Sequence, residues 1–165
     1  MYMDSVNFYR SYHTHPINKL MHLVCIPMIV LTSINFASKI SMKIPKQPRP
    51  FYLASGKILT EAPTHNAINI IPILYVSYFF IFWNLKIGLI MLSYIAFLSN
   101  IGYYWRENDK KWLTNSFILF GFAWIIQFLG HAIEGNRPAL LTSLSQAVFQ
   151  APLFTLEYIY PSLLK

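Results

Sequence analysis

The chain has 165 residues, of which 55% are hydrophobic and only 12% charged, with a formal net charge of +7. Its mean hydropathy is positive, a balance rare among soluble domains of this size and expected of a chain built in a bilayer. A single cysteine, Cys25, inside an apolar run excludes an intrachain disulfide and a cysteine-based zinc site. The basic residues are spread over membrane-flanking positions, so the charge reads as topological and as contact with anionic membrane lipids, not as nucleic-acid binding.

From the amino end, Met1 to Lys19 is polar and aromatic, with no removable signal peptide visible, so the first span is expected to serve as an uncleaved anchor. This segment carries His13, His15 and, just beyond it, His22. Pro16 suits the first turn of a helix, where its missing N–H costs nothing. Asn18 and His22 then share one helical face, and His13 must fold over the helix end to approach His22. Taken singly, His13 and His15 read equally well as interfacial residues bonded to headgroups or backbone. His22 lies inside a span, where an ionisable ring is a functional candidate by default.

Four stretches approach the roughly 20 apolar residues of a spanning helix: Leu20 to Ser38, Ala67 to Trp83, Ile87 to Tyr104 and Ser116 to Ile133. Between the first two, Lys39 to His65 holds Pro45, Pro48, Pro50 and Pro63 and five basic residues, a loop in which no helix can form. Arg106 to Asn115 makes a short charged connector. A fifth stretch, Ala139 to Tyr160, is apolar but contains Gln146, Gln150, Pro152 and Glu157, and fits a packed, re-entrant or interfacial helix as well as a span. The predicted fold is all-α, a polytopic membrane helical bundle of four spans plus this fifth helix, forming one domain over residues 1–165.

Counting crossings, four spans return the chain to its starting side, which brings His13, His22 and His131 to one membrane face and leaves His65 on the other. Gln127, His131 and Glu134 fall at i, i+4 and i+7, a polar stripe that must face protein or a cavity. Such a stripe either fixes helix packing or supplies a metal ligand with its carboxylate partner. Imidazole with carboxylate and open coordination positions suits Fe(II) and oxygen chemistry better than a closed structural zinc site. Five histidines in all are too few for the histidine boxes of membrane desaturases and hydroxylases.

Three segments carry a resemblance: the FY-YH-P-N-L-H skeleton of Phe8 to His22, WxxQFxGH followed by RPAL from Trp124 to Leu140, and QAVFQAPLFTLE from Gln146 to Glu157. Together they resemble the fungal 2-hydroxy fatty acid dioxygenase family. The resemblance implies a multi-pass endoplasmic-reticulum membrane enzyme that uses Fe(II) and O2 to convert a long-chain 2-hydroxy fatty acid to the acid one carbon shorter, releasing CO2. In that family the reaction belongs to α-oxidation during phytosphingosine breakdown. It also implies His13, His22 and His131 as iron ligands, with His15 standing in for a second histidine at the position of Thr14, and Glu134 in the site. Arg137 fits two roles equally, neutralising the substrate carboxylate through its fork or anchoring a span end at headgroups. Phe120, Phe128, Phe149 and Phe154 are candidates to line the alkyl chain or simply to pack. The competing expectation is a non-enzymatic membrane metal carrier or scaffold using the same histidines.

Overall fold

The computed structural model describes residues 2–40 and 67–163, and all the regular secondary structure among them is helical. Six α-helices follow in order: α1 Tyr2–Ser11, α2 Pro16–Ala37, α3 Ala67–Phe82, α4 Leu85–Asn108, α5 Trp112–Glu134 and α6 Leu144–Ile159, with a 3₁₀ turn at Ala139–Leu141 before α6. The proline-rich loop expected over 39–65, His65 included, lies outside the described residues apart from its first two positions.

Helix boundaries follow local chemistry. Pro16 opens α2, and His15 caps it, its carbonyl accepting the Lys19 N–H at 3.1 Å. Asn84 caps α4 through its side-chain oxygen, which accepts the Ile87 N–H at 2.9 Å. The connector between α4 and α5 is far shorter than the expected Arg106 to Asn115, because Asp109 gathers the chain there. Its carboxylate accepts the Trp105 indole N–H at 2.9 Å, the Lys111 N–H at 2.8 Å and the Asn115 amide at 2.7 Å. These bonds let both helices run into polar sequence that would otherwise fray. Gly135, with φ of 75°, adopts the left-handed turn that ends α5 at Glu134.

Three helices are long and apolar enough to cross a membrane: α2, α4 and α5, of 22, 24 and 23 residues. Each reaches about 33–36 Å at the ordinary rise, beyond the roughly 30 Å of a bilayer core. The second expected span appears as α3, 16 residues as described, with a shorter apolar stretch at Ile70–Phe82. The surface pattern is inverted relative to a protein in water. Leu74, Ile81, Phe97, Phe117, Ile118 and Ile125 are exposed, while Asn18, Thr32, Asn35 and Ser116 are buried. Lipid tolerates the first group and protein must satisfy the second.

The chain divides into two compact units, Met1–Ile29 with Leu119–Lys165, and Val30–Ile118. In the second, α3 packs on α4, and the later part of α2 meets the beginning of α5. There Asn35 donates to the Ser116 hydroxyl at 3.1 Å and accepts from the Arg106 guanidinium. Gly102 admits this network, since a Cβ there would lie 2.7 Å from Asn35 Oδ1. In the first unit α1 packs on α6, tied by an ion pair between Arg10 and Glu157, and the beginning of α2 runs against the end of α5.

Candidate metal centre

The first unit brings His13, His22 and His131 together. His13 comes from the turn between α1 and α2, His22 from the second turn of α2 and His131 from the last turn of α5. Their ring centroids are separated by 4.4 Å (His13 to His22), 4.8 Å (His13 to His131) and 4.9 Å (His22 to His131). One ring nitrogen from each lies within 4.8 Å of the others, and all three side chains are buried. The three histidines that the sequence was expected to bring to one membrane face therefore meet. The fold achieves the predicted return of His13 by ending α1 at Ser11 and turning the chain through residues 12–15 over the start of α2.

Hydrogen bonds select the tautomers. His13 Nδ1 lies 2.8 Å from the Tyr9 carbonyl and His22 Nδ1 lies 2.9 Å from the Asn18 carbonyl. A carbonyl can only accept, so both Nδ1 atoms carry the proton and both Nε2 lone pairs are left for a ligand. An outer hydrogen bond of this type is the usual orienting partner of a metal-binding imidazole. His13 Nε2 and His131 Nδ1 are buried without a hydrogen-bond partner, although an unpaired buried polar atom costs about 1–3 kcal/mol. Burial pushes the His13 imidazole down to about 4, opposed mainly by its bond to Tyr9. It is therefore neutral, as a ligand must be. The donor set fits a divalent transition metal: three buried imidazoles, two of them with Nδ1 held by backbone carbonyls, and further coordination positions open.

The cluster is walled by α1 and α6. The Tyr9 ring stacks on His13 at 4.3 Å, and Phe154 of α6 packs at 5.2 Å from His13 and 5.3 Å from Tyr9. Gln127, four residues before His131, is buried with its Nε2 unpaired, and Gln150, four before Phe154, is buried with its Oε1 unpaired.

Glu134 stands outside the histidine group and holds the turn that delivers His13. Its Oε1 accepts the Thr14 N–H at 2.5 Å, the Thr14 hydroxyl at 2.7 Å and the His15 N–H at 3.2 Å, and its Oε2 accepts the Asn18 amide. A carboxylate at the end of α5 opposes that helix's own dipole, but here it faces the N-terminus of α2, where negative charge is favoured. His15 also falls outside the group: its Nδ1 accepts the Ile17 N–H at 3.3 Å, at the start of α2. Arg137 is exposed beyond the end of α5. Of the aromatic candidates for the alkyl chain, Phe154 is buried beside His13, whereas Phe128 is exposed.

The glycine of the GH pair has a steric reason. A Cβ on Gly130 would collide with Asn18 Oδ1 and lie 3.2 Å from Met21 Sδ. Only glycine lets α5 approach α2 closely enough for His131 to meet His22. Asn18 was legible as sharing a face with His22, but its bond to Glu134 was not, since the two are separated by 116 residues. Gln150 carried no sequence signal beyond being polar in an apolar helix.

Comparison with known proteins agrees with this geometry. The family model described as 2-hydroxy-palmitic acid dioxygenase Mpo1-like matches residues 1–163. The 2-hydroxy-palmitic acid dioxygenase MPO1 of Saccharomyces cerevisiae is 27% identical over 162 residues, which cover 95% of this chain and 79% of that protein. No solved structure matches the chain. With its sequence matched almost from end to end, and with three buried histidines gathered where they could hold a metal, the chain belongs to the 2-hydroxy-palmitic acid dioxygenase Mpo1-like family.

Proposed function

We propose that the protein is an Fe(II)-dependent dioxygenase of the endoplasmic-reticulum membrane that shortens long-chain 2-hydroxy fatty acids by one carbon, a step of α-oxidation in phytosphingosine breakdown. The balance is R–CH(OH)–COOH + O2 → R–COOH + CO2 + H2O. The substrate supplies all four electrons, so no organic co-reductant is needed. The observation that carries this reading is the buried triad of imidazoles, two of them with Nδ1 anchored on backbone carbonyls. A scaffold has no use for buried, unpaired ring nitrogens, which weighs against the non-enzymatic alternative.

His13, His22 and His131 are the ligands in this reading. An iron held by them would supply activation of O2 and a positive centre for the 2-hydroxy carboxylate. The remaining work belongs to the chain. Tyr9 and Asn18 carbonyls fix the imidazole tautomers, and Tyr9 and Phe154 exclude water from the His13 side. Glu134 acts as a positioning residue through Thr14, His15 and Asn18, and His15 serves the start of α2. Arg137, exposed at the end of α5, meets anionic lipid headgroups or an arriving carboxylate.

The test is anaerobic purification in detergent, reconstitution with Fe(II), and mass spectrometry of the products of a long-chain 2-hydroxy fatty acid under ¹⁸O2, beside His131→Ala. A labelled acid one carbon shorter, absent in the variant, supports the reading. Metal binding with no shortened acid across several chain lengths removes the substrate assignment. Failure to bind metal at all removes the enzyme.

A further inference from the structure

We propose that the side-chain amides of Gln127 and Gln150 bind the head of the substrate, Gln127 donating to its carboxylate and Gln150 accepting from its 2-hydroxyl. The proposal rests on the function proposed above and assigns its substrate selectivity to two residues outside the triad.

Both amides are deeply buried, with Gln127 7% and Gln150 5% exposed, and each leaves a polar atom without a partner, Nε2 in Gln127 and Oε1 in Gln150. Buried amides are normally paired, so each orphan atom marks a place where a polar partner belongs. Each lies one helical turn from the triad's surroundings. Gln127 shares a face of α5 with His131, and Gln150 shares a face of α6 with Phe154, whose ring packs against His13. Among the described residues the remaining orphan amide atom, Asn18 Oδ1, is accounted for differently, because it occupies the space beside Gly130 and serves helix approach.

Charge explains why glutamine suits these positions. Imidazole ligands bring no charge to a metal ion, and the nearby carboxylate, Glu134, is taken up by four hydrogen bonds from Thr14, His15 and Asn18. A divalent ion bound there therefore lacks an anion, which the substrate carboxylate provides. A further buried cation would compete with the metal for that charge. Neutral amides orient the head without altering the balance: an N–H reaches a carboxylate oxygen, and a carbonyl oxygen takes the proton of the 2-hydroxyl. An unsubstituted fatty acid would leave Gln150 Oε1 unpaired in a dry site, the arrangement by which a site built around a hydroxyl rejects the analogue without it.

The experiment uses metal-loaded protein in detergent under anaerobic conditions, measuring binding of 2-hydroxyhexadecanoic acid and hexadecanoic acid by competition, with metal content determined in parallel. Gln127→Leu is expected to weaken both acids by about tenfold, and Gln150→Leu to weaken the 2-hydroxy acid alone by about tenfold, with metal per protein unchanged. Gln127→Met and Gln150→Met, closer in shape, repeat the comparison if a leucine variant does not fold. Unchanged affinities, or loss of metal in step with loss of binding, would show that the amides only pack, and would overturn the proposal. Failure of the wild type itself to bind metal, or to prefer the 2-hydroxy acid, overturns the functional reading and this proposal together. That outcome is separate because it appears before any substitution.

Discussion

Asn18 and Asn35 lie on the same helix, seventeen residues apart by sequence number, and use the same device with opposite results. Each is fully buried, each sits where a facing glycine has no Cβ, Gly130 for Asn18 and Gly102 for Asn35, and each bonds a charged side chain, Glu134 or Arg106. The Asn35 network is closed, because its amide donates to Ser116 and its oxygen accepts from Arg106. In the first unit, apart from Asn18 Oδ1 beside Gly130, polar atoms stay open: His13 Nε2, His131 Nδ1, Gln127 Nε2 and Gln150 Oε1 are all buried and unpaired. In a membrane interior, where water cannot complete a network, a closed polar cluster serves packing and an open one implies a ligand. Elsewhere in the second unit the Tyr94 and Ser99 hydroxyls are unpaired too, but no cluster of metal-binding groups surrounds them among the described residues.

The contrast can be broken most directly at the ligands. His22→Ala or His131→Ala is expected to lower bound metal per protein to below about a tenth and activity by about 100-fold or more, read by elemental analysis and turnover, since losing a ligand exceeds the 10–100-fold cost of losing an outer partner. Glu134→Gln comes next. Its amide keeps one acceptor oxygen and turns an NH2 toward either the Thr14 and His15 donors or the Asn18 amide, so metal affinity should fall about 10–100-fold while secondary structure by circular dichroism is retained.

The glycines sharpen the comparison. Gly130→Ala and Gly102→Ala should each cost about 1–3 kcal/mol of stability through overpacking, read as similar losses in thermal midpoint. Only Gly130→Ala should also lose metal. An equal metal loss in Gly102→Ala would remove the distinction between a packing network and a site. Smaller still, Ser116→Ala leaves the Asn35 amide unpaired and should cost about 1 kcal/mol with turnover unchanged.

The smallest effect concerns pH. Bonds from Trp105, Asn115 and the Lys111 N–H hold the exposed Asp109 carboxyl below its ordinary value of 3.8. The folded carboxyl is therefore the stronger acid, so its contribution is complete above pH 3.8 and is lost as pH falls below it through the folded value. The midpoint difference between wild type and Asp109→Asn should be constant at neutral pH and close only in that acid range. A difference that closes near pH 6 would assign it to another group.

Much of this was legible because apolar runs and polar exceptions obey short periods. The existence and approximate positions of α2, α4 and α5, the start of α2 at Pro16 and the stripe of Gln127, His131 and Glu134 follow from local sequence. The count of charges around Arg106 to Asn115 misled, since it did not reveal that one acid, Asp109, could fold that stretch into two helix ends.

The sequence by itself determined the solvent, the helical class and the three histidines, because hydropathy and the scarcity of ionisable groups in apolar runs are local properties. Only the tertiary structure decided what surrounds those histidines. Glu134 reaches across 120 residues to Thr14, and Phe154 across 141 to His13, and no local pattern encodes such pairs. They follow from which helix faces meet, and at Gly130 that is decided by the absence of a single methyl group beside Asn18.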